Sequence, residues 1–180
     1  MRLKVGVTRM YRDVIEGIGV EDFSVVNPYR EKLRDKYSLL VISKGYRDKV
    51  KKLNPFPIFE IPSATFKDLT NSVKGLTRLN IGSPEKIEGY LKAIEEKEKY
   101  IKSLNINRDI EVNPVSLFIE KVVLDLAIPV SKEGIPLVPD YMAHRYRGEV
   151  LILKTHRYYL NTLERVEDRY LSLINLLNSL

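Results

Sequence analysis

The chain has no cysteine and no tryptophan, and its only histidines are His144 and His156. Without cysteine, these residues cannot form a disulfide, a thiolate-held iron–sulfur cluster or a cysteine-based zinc site. Two histidines would need carboxylates beside them to hold a metal, and no spacing supplies them, so neither a metal site nor a cofactor is expected. Long apolar runs are also missing. None approaches the roughly 20 residues that a membrane-spanning helix needs. The opening Met1-Arg2-Leu3-Lys4 alternates polar and apolar residues and lacks the apolar core of a secretion signal. The expected location is therefore cytoplasmic, with no membrane partner. Charge of one sign is not concentrated anywhere. The 30 Lys and Arg are interleaved with 24 Asp and Glu, leaving a net charge of +6. This reads as a solvated Lys/Glu surface of the kind common in thermophile proteins. No nucleic-acid motif accompanies it, so a nucleic-acid partner is not expected.

What is present is an ordinary globular composition. At 180 residues, 44% apolar and 30% charged, the chain suits one domain or two small lobes sharing a core. Leu3 to Val7 reads as a strand, followed by a helix over residues 9–17 that Gly17 and Gly19 stop. Phe23 to Val26 is a second strand. It runs into Asn27-Pro28, the pattern of an N-cap with proline at the first helical position, so a short helix is expected to about Lys36. Leu39-Leu40-Val41-Ile42 has no polar break, which places it centrally in a parallel sheet covered on both faces. Ile58 to Ile61 is a further strand. The helix after it carries Phe66, Leu69, Val73 and Leu76 on one face.

The pattern then restarts. Arg78-Leu79-Asn80-Ile81-Gly82 echoes Arg2-Leu3-Lys4-Val5-Gly6, Asn113-Pro114 echoes Asn27-Pro28, and Ser131-Lys132-Glu133-Gly134 echoes Ser43-Lys44-Gly45. Duplication and convergent turn chemistry both account for these echoes. Asn27 and Asn113 read as helix caps. A long helix follows Ser83-Pro84. The later helix Val115 to Leu126 is apolar nearly all round and should be buried. The terminal helix, residues 157–178, carries Leu160, Leu163, Val166, Tyr170, Ile174 and Leu177 on one side. That stripe serves either the core or a contact with a second copy or a partner protein.

Residues 109–153 carry a resemblance. Asp-Ile-Glu-Val-Asn-Pro leads into a buried helix. Later come Gly134-Ile135-Pro136-Leu137-Val138-Pro139-Asp140-Tyr141 and Gly148-Glu149-Val150-Leu151-Ile152-Leu153. Together with Leu3-Lys4-Val5-Gly6-Val7-Thr8 and Arg78 to Leu91, this resembles the effector-binding domains of LysR-type regulators, which share the type II periplasmic-binding-protein fold. The chain departs from that family in three places. No helix-turn-helix stands in these residues, the stretch between 54 and 78 is short, and Ser131 to Gly134 interrupts the approach to the Gly-Ile strand. The resemblance implies an α/β fold of two small Rossmann-like lobes with a C-terminal helix. Lobe 1 would be about residues 1–62 plus 135–154, and lobe 2 about residues 77–130. It also implies a cleft at the C-terminal ends of the strands, where turn N–H groups and helix N-termini offer donors to an anion.

The expected ligand residues are those in the turns after the strands. They are Thr8 and Arg9; Ser43, Lys44 and Gly45; Ser63 and Thr65; and Gly82 and Ser83. Capping is the plain alternative for Thr8, Ser63, Thr65 and Ser83. The Ser43-Lys44-Gly45 turn lacks the length and ending of a P-loop, which excludes a triphosphate site. The expected function is binding of a small anionic metabolite by a stand-alone cytoplasmic domain. Two alternatives stand beside it. One is an enzyme of cofactor or amino-acid biosynthesis, for which Glu60 and Asp140 are the carboxylates nearest predicted turns. The other is a non-catalytic subunit of a larger assembly. The residues leave catalysis open, and no catalytic residue can be named.

Overall fold

The computed structural model describes residues 4–155 and 157–180. The expected strand start at Leu3 and the residue His156 lie outside them. The chain divides into two compact units. The first is the chain through Ser63 with Lys67–Ile94, and the second is Ala64–Phe66 with Glu95–Leu180. Each is a small α/β lobe around its own parallel sheet, which is the fold class expected.

In the first unit β1 (Val5–Val7), β2 (Phe23–Val25), β3 (Leu39–Ser43) and β4 (Ile58–Ile61) lie in the order β2-β1-β3-β4, all parallel. Val5, Val7 and Leu39 to Ile42 are buried. These two apolar strands therefore occupy the interior of the sheet, where both faces are covered. A turn of 3-10 helix (Arg9–Tyr11) and α1 (Arg12–Gly17) follow β1, and α2 (Arg47–Leu53) follows β3. The helix α3 (Phe66–Arg78) buries Phe66, Leu69, Val73 and Leu76, as its spacing predicts.

Two expectations fail here for identifiable reasons. Asn27-Pro28 opens no helix; turns and loop run from there to β3. The cause is Asn54, whose side chain is wholly buried. Its amide donates to the carbonyls of Pro28 (3.1 Å) and Glu31 (3.0 Å) and accepts the Leu33 N–H (2.8 Å), taking backbone groups that a helix would have used. The second failure is Arg78 to Gly82, expected as a strand. It is a tight connection between α3 and α4 (Pro84–Ser103). The N–H groups of Leu79 and Ile81 return to Leu76, and that of Asn80 returns to Thr77. Asn80 (φ 56°) and Gly82 (φ 94°) are left-handed, which no strand permits.

α4 carries the chain from the first unit into the second. There β5 (Val112–Pro114), β6 (Ile135–Pro139) and β7 (Leu151–Leu153) form a parallel sheet in the order β5-β6-β7. The expected return of residues 135–154 to lobe 1 is therefore corrected: β6 and β7 pair with β5 and stay in the second sheet. Asn113 is no cap either. Pro114 ends β5, and Ser116 caps α5 (Leu117–Asp125) by accepting the Ile119 N–H. α5 buries Ile119, Val122 and Val123 but exposes Leu117 and Leu124, so it is amphipathic rather than enclosed.

The terminal helix α6 (Thr162–Asn178) starts at a capping box between Asn161 and Glu164. Leu163, Val166, Tyr170, Leu173, Ile174 and Leu177 are all buried in the second unit. Of the two readings of the stripe, these residues follow the core one, while Tyr158 and Tyr159 just before the helix are exposed. Tyr170 stacks on Phe66 (4.9 Å between centroids) and donates its hydroxyl to Asp125 (2.5 Å). Burial, and then the neighbouring carboxylate, push its ionisation well above the ordinary phenol range. Arg169, buried beside it, donates to the Ala64 carbonyl (2.8 Å) and lies 4.4 Å from the Phe118 ring.

Gly82 sets the α3–α4 connection. A Cβ there would stand 2.6 Å from the Ile18 carbonyl oxygen, on a backbone already at positive φ. Gly82→Ala is expected to lower stability by about 1–3 kcal/mol, read by chemical denaturation. Gly89→Ala, where nothing lies within 4 Å of the added methyl, is the control.

Candidate functional site at the β1–β3 switch

In the order β2-β1-β3-β4 the chain leaves β1 toward one edge of the sheet and later crosses to the other. The reversal falls between β1 and β3. Turns diverge there, and open α/β sheets leave a crevice at the carboxyl ends of those strands. A pocket of about 570 Å³ lies at this point. Thr8, Arg9 and Met10 line it from the end of β1, and Ser43 from the end of β3. Val25, Val26, Asn27, Tyr29, Glu31 and Leu33 line it from β2 and the loop that Asn54 holds. The lining is mainly apolar, with a few hydroxyls inside and one charge of each sign, Arg9 and Glu31, both exposed.

Three groups in this wall are fixed. The Tyr29 hydroxyl accepts the Ser43 N–H (3.1 Å), and its ring meets that of Tyr46 edge-on at 5.1 Å. The Ser43 hydroxyl lies 3.7 Å from the Met10 sulfur, a weak hydrogen bond. The Thr8 hydroxyl oxygen is closed to solvent and has no hydrogen-bond partner. An unsatisfied buried hydroxyl costs free energy unless a bound group completes it.

The structure thus brings Thr8, Arg9 and Ser43 to one pocket. The other expected ligand residues lie elsewhere. The Gly45 N–H is taken by Glu60 Oε1 (2.9 Å), which also accepts the Arg47 N–H (3.2 Å), while Glu60 Oε2 pairs with Arg47 Nε (3.1 Å). A carboxylate of the chain itself therefore occupies this turn. The Lys44 N–H extends the sheet to Ile61, and its side chain is exposed. The Ser63 and Tyr11 hydroxyls bond each other at 3.1 Å. Gly82 and Ser83 pack against Ile18 and Gly19, with the Ser83 hydroxyl accepting the Lys86 N–H as a cap. Thr65 is buried and belongs to the second unit. Asp140 is bonded to the Thr155 hydroxyl (3.0 Å) and forms no pair with a second acid in the described contacts. Met10, Tyr29, Glu31 and Leu33 were not foreseen. For Tyr29, Glu31 and Leu33 the signal was Val26-Asn27-Pro28-Tyr29 after the edge strand β2, which reads equally well as a helix start.

Two α/β lobes with a C-terminal helix and a crevice at the strand ends define a periplasmic-binding-protein-like fold. Solved structures share it across nearly their whole length. FpvC of Pseudomonas aeruginosa in complex with Mn2+ aligns with a TM-score of 0.67 at 10% identity, over 99% of each chain. The metal-dependent lipoprotein YcdH of Bacillus subtilis aligns at 0.63 and 10% identity, over 98% of this chain and 100% of that one. The periplasmic vitamin B12 binding protein BtuF of Vibrio cholerae aligns at 0.56 and 11% identity, over 98% and 96%. The chain itself belongs to the MJ0786 family. The family's N-terminal domain model matches residues 6–98, and its C-terminal domain model matches residues 108–180. The uncharacterized protein MJ0786 of Methanocaldococcus jannaschii is 45% identical over 174 residues, 96% of this chain and 92% of that protein.

These findings correct three expectations. The likeness is to transporter substrate-binding proteins rather than to LysR-type effector domains in particular. A small anionic metabolite does not stand as the ligand, because the proteins of this fold are described with metal ions or vitamin B12. A cytoplasmic location does not stand either, because those proteins include a periplasmic protein and a lipoprotein.

Asn54→Ala strands the Pro28 and Glu31 carbonyls and the Leu33 N–H. It is expected to cost about 2–4 kcal/mol in denaturant unfolding and to raise hydrogen exchange in residues 28–33 ahead of β1 and β3. Glu60 gives a pH signature. Burial opposes its charge, but the Arg47 guanidinium and the N–H groups of Gly45 and Arg47 outweigh that, holding its carboxyl below the usual range. Its stabilising contribution is present above the ordinary glutamate pKa of about 4.3 and is lost as pH falls through the lowered value. The stability gap between the native protein and Glu60→Gln is therefore expected to close below about pH 4 in pH-dependent unfolding.

Proposed function

We propose that this protein is a non-catalytic ligand-binding subunit of a larger assembly, and that its first unit takes a small organic molecule, free or as a metal chelate, in the β1–β3 pocket. The observation that carries the reading is the pocket itself, which lies at the switch point of the first sheet and is lined by Thr8, Tyr29 and Ser43. Its volume is in the range of small-molecule sites. The two carboxylates nearest the predicted turns, Glu60 and Asp140, are bonded to Arg47 and Thr155, which favours binding over acid–base chemistry. Among the described residues no group of three His, Cys, Asp or Glu stands together to hold a metal. A cation therefore fits this chain best as cargo already wrapped by an organic ligand. The relatives in fold that carry Mn2+ or vitamin B12 support a transporter-type role by analogy.

Thermal-shift screening followed by calorimetry tests this, with Mn2+ and Zn2+ salts, vitamin B12, ferric chelates and uncharged metabolites as probes. A small organic molecule or a chelate is expected to stabilise the protein. Ser43→Trp, which fills the pocket, should abolish the shift while circular dichroism stays native. Binding indifferent to this substitution would place the ligand elsewhere and defeat the proposal.

A further inference from the structure

The pocket at the β1–β3 switch is selective in shape as well as place. Tyr29 is the aromatic residue among those lining it, and it is held from two directions: its oxygen by the Ser43 N–H, its ring by Tyr46. A ring fixed before binding loses no rotamer freedom when a ligand lies against it. The Met10 thioether, placed by the Ser43 hydroxyl, is a polarizable surface that favours aromatic carbon. Val25, Val26 and Leu33 extend the apolar wall.

The polar groups are few and suit the edge of a flat ring. The Tyr29 hydroxyl accepts from Ser43 and keeps its own proton to donate. Arg9 and Glu31 balance one another in charge. The turn Thr8-Arg9-Met10 has no glycine to admit a phosphate against its backbone.

We infer that the ligand carries a planar conjugated ring without phosphate, seated against Tyr29 and Met10. This deepens, and rests on, the assignment of the pocket as the ligand site.

Riboflavin and trehalose, similar in size, separate the two ideas, one flat and conjugated, the other saturated. The full chain is titrated with each by calorimetry, and riboflavin emission is followed for quenching by the adjacent tyrosine. Riboflavin is expected to bind with quenching. Tyr29→Leu should weaken it about tenfold, and Tyr29→Phe, which keeps the ring, by no more than about threefold. Native circular dichroism for both variants is the control. Trehalose binding that Ser43→Trp abolishes, without riboflavin binding, would overturn the ring class and leave the pocket standing. Riboflavin binding unchanged by Tyr29→Leu overturns the ring contact. Binding of neither probe overturns the ring inference, while a shift from another probe in the wider screen keeps the pocket assignment alive.

Discussion

The site depends on one buried amide. Asn54 ends α2 and has no access to solvent, so each of its hydrogen-bonding groups must find a partner inside the protein. It finds them on the loop of residues 28–33 rather than in regular structure. That choice prevents the loop from becoming the helix its Asn-Pro start invites. It also sets Tyr29, Glu31 and Leu33 on the pocket wall instead of on a helix flank. A helix in the same place would present its residues at a different spacing. The crevice itself comes from strand order, but its third wall comes from this side chain.

The first sheet was legible because its signals are physical requirements of the fold. Leu39 to Ile42 has no polar residue, and an interior strand of a parallel sheet buries such a run on both faces. α3 and α6 were legible from their apolar spacing. What the sequence did not disclose was long-range. Asn54 lies more than 20 residues from the carbonyls it binds, and no local pattern marks it as buried. Likewise Arg78 to Gly82 has the composition of a strand. Its N–H groups are captured by the end of α3, which decides for a turn.

The candidate site was legible in part for the same reason. Thr8, Arg9 and Ser43 follow interior strands, so position alone puts them at the switch. Ser63, Thr65 and Ser83 carry the same residue types, but what surrounds them differs. Ser63 is bonded to Tyr11, Thr65 is buried in the second unit, and Ser83 caps a helix. Hydroxyl residues in turns are common, and the partner decides between cap and ligand contact. Glu60 makes the point for backbone donors: the Gly45 turn has the geometry of an anion cradle, and a nearby carboxylate already fills it. The echo between the two halves, by contrast, extends to strand order. In the first sheet β2 lies beside β1 on the side away from β3; in the second, Val130 bridges Val112 of β5 in parallel on the side away from β6, with the Val112 N–H bonded to Pro129 and its carbonyl to Ser131.

The short segment Ala64–Phe66 has a consequence for the gene. By sequence families the protein falls into two domains that meet between residues 98 and 108. By packing, these three residues belong with the later part, where Phe66 stacks on Tyr170 and the Ala64 carbonyl meets Arg169. A gene split at the family boundary would give one product with Phe66 stripped of its aromatic partner and another with an open slot beside α6. Fission, or exchange of one half for that of an unrelated protein, would thus cost both products a buried contact.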